Sequence, residues 1–88
     1  MKAILTTIGK DKPGIVAGVS GFLASKDINI LDISQTIMDG NFTMMMLVEL
    51  TNQPDFNQLV GQLDALGQKL GVDINVRNEA LYNAMHQL

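Results

Sequence analysis

Between Phe56 and Leu70 the apolar residues Phe56, Leu59, Val60, Leu63, Leu66 and Leu70 recur at the spacing of one helical face. Pro54 and Asp55 precede this run and Gly71 ends it, and Asp55 with Gln58 three residues later has the form of a capping box. A helix with one apolar stripe must lay that stripe on another layer of structure. In a chain of 88 residues only one core can be built, so every other element has to serve this same core.

The remaining segments supply that layer. "KAILTTI", residues 2 to 8, is short, rich in β-branched residues, and read as a strand that stops at Gly9. From Ile15 the apolar positions Ile15, Val16, Val19, Phe22 and Leu23 predict a helix that ends before the polar Ser25–Asp27. "INILDISQTIM", residues 28 to 38, mixes β-branched and polar residues without helical spacing and meets Asp39-Gly40-Asn41, a hairpin turn signal. Phe42 to Leu50 answers as a strand, with Phe42, Met44, Met46, Val48 and Leu50 on one face and Thr43, Met45, Leu47 and Glu49 on the other. "VDINV", residues 72 to 76, predicts a last strand. Leu81, Ala84, Met85 and Leu88 then predict a short C-terminal helix.

The order strand, helix, strand, strand, helix, strand is the α+β, ferredoxin-like βαββαβ sandwich: a four-stranded antiparallel sheet with two helices on one face. Because this architecture hosts many functions, chemistry must be argued from sites. Both sheet faces carry apolar residues, with Leu5 opposed to Ile4 and Ile8, and Met45 and Leu47 opposed to Met44 and Met46. Two helices cover one face only, so a symmetric dimer, edge to edge or face to face, is expected unless the C-terminal helix covers the other.

Several functions are disfavoured by composition. Six basic against nine acidic residues give a net charge of −3, which repels a phosphate backbone, and the aromatic content is too low for base stacking, so no nucleic acid is expected. There is no cysteine, which removes disulfides, thiolate metal sites and thiol nucleophiles. The sole histidine, His86, has no placed partner, and Asp11, Asp27, Asp32, Asp39 and Glu49 lack paired-carboxylate or metal-ligand spacing. Met44 to Met46 alternate between two faces of a strand and read as packing residues. The expectation is a non-enzyme with no cofactor or metal. No signal peptide or membrane-length run is visible, and a cytoplasmic location is expected.

The candidate site is "GKDKPGIVAG", residues 9 to 18. Pro13 suits a first helical turn, Gly14 leaves the backbone uncovered, and the free N–H groups of that turn lie at the positive end of the helix dipole. Lys10 and Lys12 would add to the potential. Alternatively, Asp11 caps the helix and occupies those N–H groups itself.

With its surroundings, "DKPGIVAGVSGFLASKDINILDIS", residues 11 to 34, resembles the core signature of ACT domains, in which an acidic or amide residue, a basic residue and Pro-Gly open the first helix and an "INI"-like strand follows. The chain is similar in particular to small stand-alone ACT proteins, with the domain over residues 1–77 and a helical extension over 78–88. The resemblance implies a regulatory module that binds an amino acid or related small molecule between two copies in a homodimer and modulates a partner protein. By position it implies a ligand site at Asp11, Lys12, Pro13, Gly14 and Ile15, together with Asn29. Gly9 and Asp11 stand where the phosphoglycerate dehydrogenase type carries His and Asn, so serine specificity is not implied. A ligand-independent protein-interaction adaptor, using a sheet edge or apolar face, is the alternative.

Overall fold

The computed structural model describes residues 2–50 and 55–78. The C-terminal helix expected from Leu81, Ala84, Met85 and Leu88, with His86 and the Pro54 start signal, lies outside the described residues. Strands β1 (Lys2–Lys10), β2 (Asn29–Met38), β3 (Asn41–Glu49) and β4 (Val72–Asn78) alternate with helices α1 (Ile15–Ser25) and α2 (Phe56–Leu70) in the expected order. They form one antiparallel sheet ordered β2-β3-β1-β4, so β2 and β4 are its edges.

Alternation along the central strands sorts the side chains. Ala3, Leu5 and Thr7 of β1 and Phe42, Met44, Met46 and Val48 of β3 are buried, and they meet Ile15, Val19 and Leu23 of α1 and Leu59 and Leu63 of α2. Ile4, Thr6, Met45 and Leu47 face the other way and are half-buried. Val16, expected on the buried stripe of α1, is exposed instead. The helices approach closely at Gly18, where a β-carbon would lie 3.0 Å from Leu70 Cδ1.

Local chemistry sets the ends of the elements. Asp55 Oδ1 accepts from the Gln58 N–H at 3.2 Å, which satisfies one orphan donor of α2. At the other end Gly71 adopts φ 74° and donates its N–H to the Gly67 carbonyl. Helix α1 ends differently: Asp27 takes φ 57°, Ile28 N–H returns to the Leu23 carbonyl at 2.9 Å, and the buried Ile28 closes the corner. Asp39 and Gly40 both have positive φ, as a tight primed hairpin turn between β2 and β3 demands.

Two expectations about strand ends are corrected. β1 does not stop at Gly9 but continues to Lys10, because Gly9 pairs with both Phe42 and Val72 inside the sheet. A β-carbon there would sit 2.8 Å from Val72 Cγ1, so this glycine serves packing and not a loop. In β2 a bulge falls between Ile30 and Asp32, with Leu31 as the extra residue, which returns Ile33 to the helix-covered side.

Candidate functional site

The Asp11–Gly14 segment joins the end of β1 to α1 and is fastened at two points. The Asp11 N–H donates to the Gly40 carbonyl at 2.9 Å, tying the loop to the β2-β3 hairpin. Gly14 is the N-cap of α1 with φ 92°, a left-handed conformation that costs an L side chain and suits glycine. Nothing lies within 4 Å of where its β-carbon would be, so its constraint is conformational and its surface is open.

This geometry corrects two local expectations. Pro13 is not in the first turn but precedes the cap, and the helix begins at Ile15. Asp11 does not cap the helix: no side chain does, and the first intrahelical bond runs from the Gly18 N–H to the Gly14 carbonyl at 2.8 Å. The N–H groups of Ile15, Val16 and Ala17 come before that bond, at the positive end of the helix. The Lys12 ammonium lies beside Gly71, at the C-terminal end of α2. There the partial negative charge of the last carbonyls attracts it. The sequence offers no sign of that pairing, since the two residues are far apart along the chain.

Asn29 is not brought to the others. It pairs with Glu49, which pairs with Lys2, at one end of the sheet, whereas Asp11 follows Lys10 at the opposite end. Eight strand steps separate these ends, about 26 Å at about 3.3 Å per residue. One copy of the chain therefore holds Asp11, Lys12, Pro13, Gly14 and Ile15 together and leaves Asn29 remote.

The described surface has hollows elsewhere. One, of about 390 Å³, is walled by Gly9, Gly67 and Gly71 with Lys10, Gln68 and Asp73. Another, of about 260 Å³, lies on the sheet face opposite the helices among Ile4, Met45 and Leu47, beside Asp32 and Ser34. Neither takes in Asp11, Gly14 or Asn29.

The βαββαβ sandwich opens its first helix with a left-handed glycine and no side-chain cap among the described residues. The model of the ACT domain matches residues 2–77, and this chain belongs to the ACT domain family. It is 53% identical over 88 residues to the UPF0237 protein YjhC of Lactococcus lactis, with each chain covered completely. A solved ACT domain protein from Streptococcus pneumoniae is 51% identical, with a TM-score of 0.85 over 93% of both chains. The regulatory subunit of aspartate kinase from Thermus thermophilus is 28% identical, with a TM-score of 0.67 over 89% of this chain and 51% of that one. ACT domains are regulatory, small-molecule-binding modules and not catalytic ones. No helix among the described residues is long and apolar enough to cross a membrane.

Proposed function

We propose that this domain senses an amino acid or a related small anion at the entrance of α1, between two copies of the chain, and thereby modulates a partner protein in the cytoplasm. The observation that carries this reading is the left-handed, uncapped Gly14 turn, which leaves the Ile15, Val16 and Ala17 N–H groups available to a carboxylate. Asp11, held beside that turn by its bond to Gly40, repels a carboxylate but can accept from an α-amino group. A zwitterion satisfies both ends. Lys12 belongs to the site through its backbone, and Pro13 sets the approach to the glycine.

The regulatory step is a difference in affinity between two states of the assembly, since a ligand shifts an equilibrium only by that difference. Resemblance to the regulatory subunit of aspartate kinase supports amino-acid metabolism as the setting. A second reading, a protein adaptor without a small ligand, is favoured by the exposed apolar residues of β2.

The deciding experiment is thermal unfolding with each common amino acid at millimolar concentration. A ligand at a hundred times its dissociation constant adds about 2.7 kcal/mol, and each kcal/mol raises the midpoint of a domain this size by roughly 4–8 °C. A shift for one or a few amino acids, reduced in Gly14→Ala, establishes the sensor. No shift for any overturns it in favour of the adaptor.

A further inference from the structure

The register sorts the sheet face opposite α1 and α2 into rows that cross all four strands. Arg77, Ile4, Leu47 and Asp32 make one row, and Asn75, Thr6, Met45 and Ser34 the next. In the third, Asp73, Ile8, Thr43 and Thr36, Ile8 alone is apolar. Apolar ground therefore lies toward one end, where Ile4, Met45 and Leu47 line the hollow of about 260 Å³ and Asp32 and Ser34 stand on its β2 side. β4 finishes at that same end, with Asn78 paired to Ala3 beside Ile4.

The ten residues after Asn78 read "EALYNAMHQL". At about 100° per residue Leu81, Ala84, Met85 and Leu88 fall within one stripe, and Glu79, Asn83, His86 and Gln87 fall on the other side. A helix of that length is about 15 Å long, at about 1.5 Å per residue. From β4 over β1 and β3 to β2 is three strand spacings, about 14 Å at about 4.8 Å each.

We infer that residues 79–88 form a helix that turns back from Asn78 and crosses this face over the first two rows, seating Leu81, Ala84, Met85 and Leu88 on Ile4, Met45 and Leu47. This docking does not depend on a ligand at the entrance of α1. A helix about 10 Å wide covers two rows about 7 Å apart and leaves the third open, which agrees with Ile8 being 47% exposed. Arg77 and Asp32 close the first row at its two ends, on the edge strands, where both are exposed and keep their charges in water. The shape of the hollow favours a helix over a second copy of the chain. A two-fold contact sets a patch against itself, and hollow against hollow leaves a void whose walls lose their contacts. A ridge of leucine and methionine fills it.

Because the chain has no cysteine, single substitutions give clean thiol probes. Met45→Cys lies beneath the inferred helix and Ile8→Cys beyond it. Each is labelled in the full chain with a charged thiol reagent, and its rate is taken relative to the same variant unfolded in urea. Met45→Cys is expected to react at least about tenfold more slowly than Ile8→Cys at every protein concentration, since a covered thiol is labelled only on local opening. Adding Leu81→Asp and Met85→Asp is expected to bring Met45→Cys up to the Ile8→Cys rate while the domain still unfolds cooperatively. Leu81→Ala with Met85→Ala, a milder change, is expected to raise the rate part of the way. Equal rates for the two single-cysteine variants overturn the docking. So does protection that grows with protein concentration, which marks a second copy as the cover, or protection that survives both pairs of substitutions.

Discussion

The Lys12 ammonium occupies the space in which a side chain at Gly71 would begin, which sets the loop before α1 beside the C-terminal end of α2. Gly71 also holds φ 74°, a left-handed conformation that strains any residue with a side chain. Gly71→Ala is expected to destabilise the domain by more than about 1 kcal/mol. Lys12→Ala should cost about 0.3–1 kcal/mol, less at high salt, as a charge at a helix end does. In urea unfolding of the double variant, part of the Gly71→Ala penalty should vanish. Strict additivity would show that the two residues do not interact.

Gly9 and Val72 define a second tight contact, at 2.8 Å from an added β-carbon to Cγ1. Gly9→Ala is expected to lower stability by about 1–3 kcal/mol through overpacking. Combining it with Val72→Ala should cost less than the two separate losses summed. A Gly9→Ala midpoint equal to that of the unmodified protein would refute the contact.

Thr7 is fully buried on the helix side of β1, and its hydroxyl has no hydrogen-bond partner among the described residues. An unmade buried hydrogen bond costs about 1–3 kcal/mol, so the near-isosteric Thr7→Val is expected to stabilise the domain by about 1 kcal/mol. The check is a rise in the thermal midpoint of roughly 4–8 °C. A fall would mean that the hydroxyl is satisfied in solution by water.

Asp55 is the N-cap of α2, whereas Asp11 lies three residues before the Gly14 N-cap of α1 and caps nothing. Asp55→Ala should cost about 1 kcal/mol in denaturant unfolding. Asp11→Ala is expected to stay within about 0.5 kcal/mol of the unmodified protein, as surface substitutions do. Equal losses would place Asp11 back at the cap.

The sequence by itself determined what local chemistry controls. The stripe of α2, its Asp55 cap and Gly71 stop, the Asp39-Gly40 turn and the alternation of β3 were all legible, because each depends on residues within a few positions of one another. Their order then fixed the antiparallel sheet. The segment from Ile28 to Met38 showed no clean alternation because the bulge at Leu31 shifts the period by one, and a bulge is set by pairing with β3. Tertiary structure alone decided that Gly9 is a packing residue, that the Lys12 ammonium lies beside Gly71, and that Asn29 lies at the far end of the sheet from Gly14. Each is a relation between residues distant in the chain, fixed by strand register and helix placement, to which spacing along the sequence is blind.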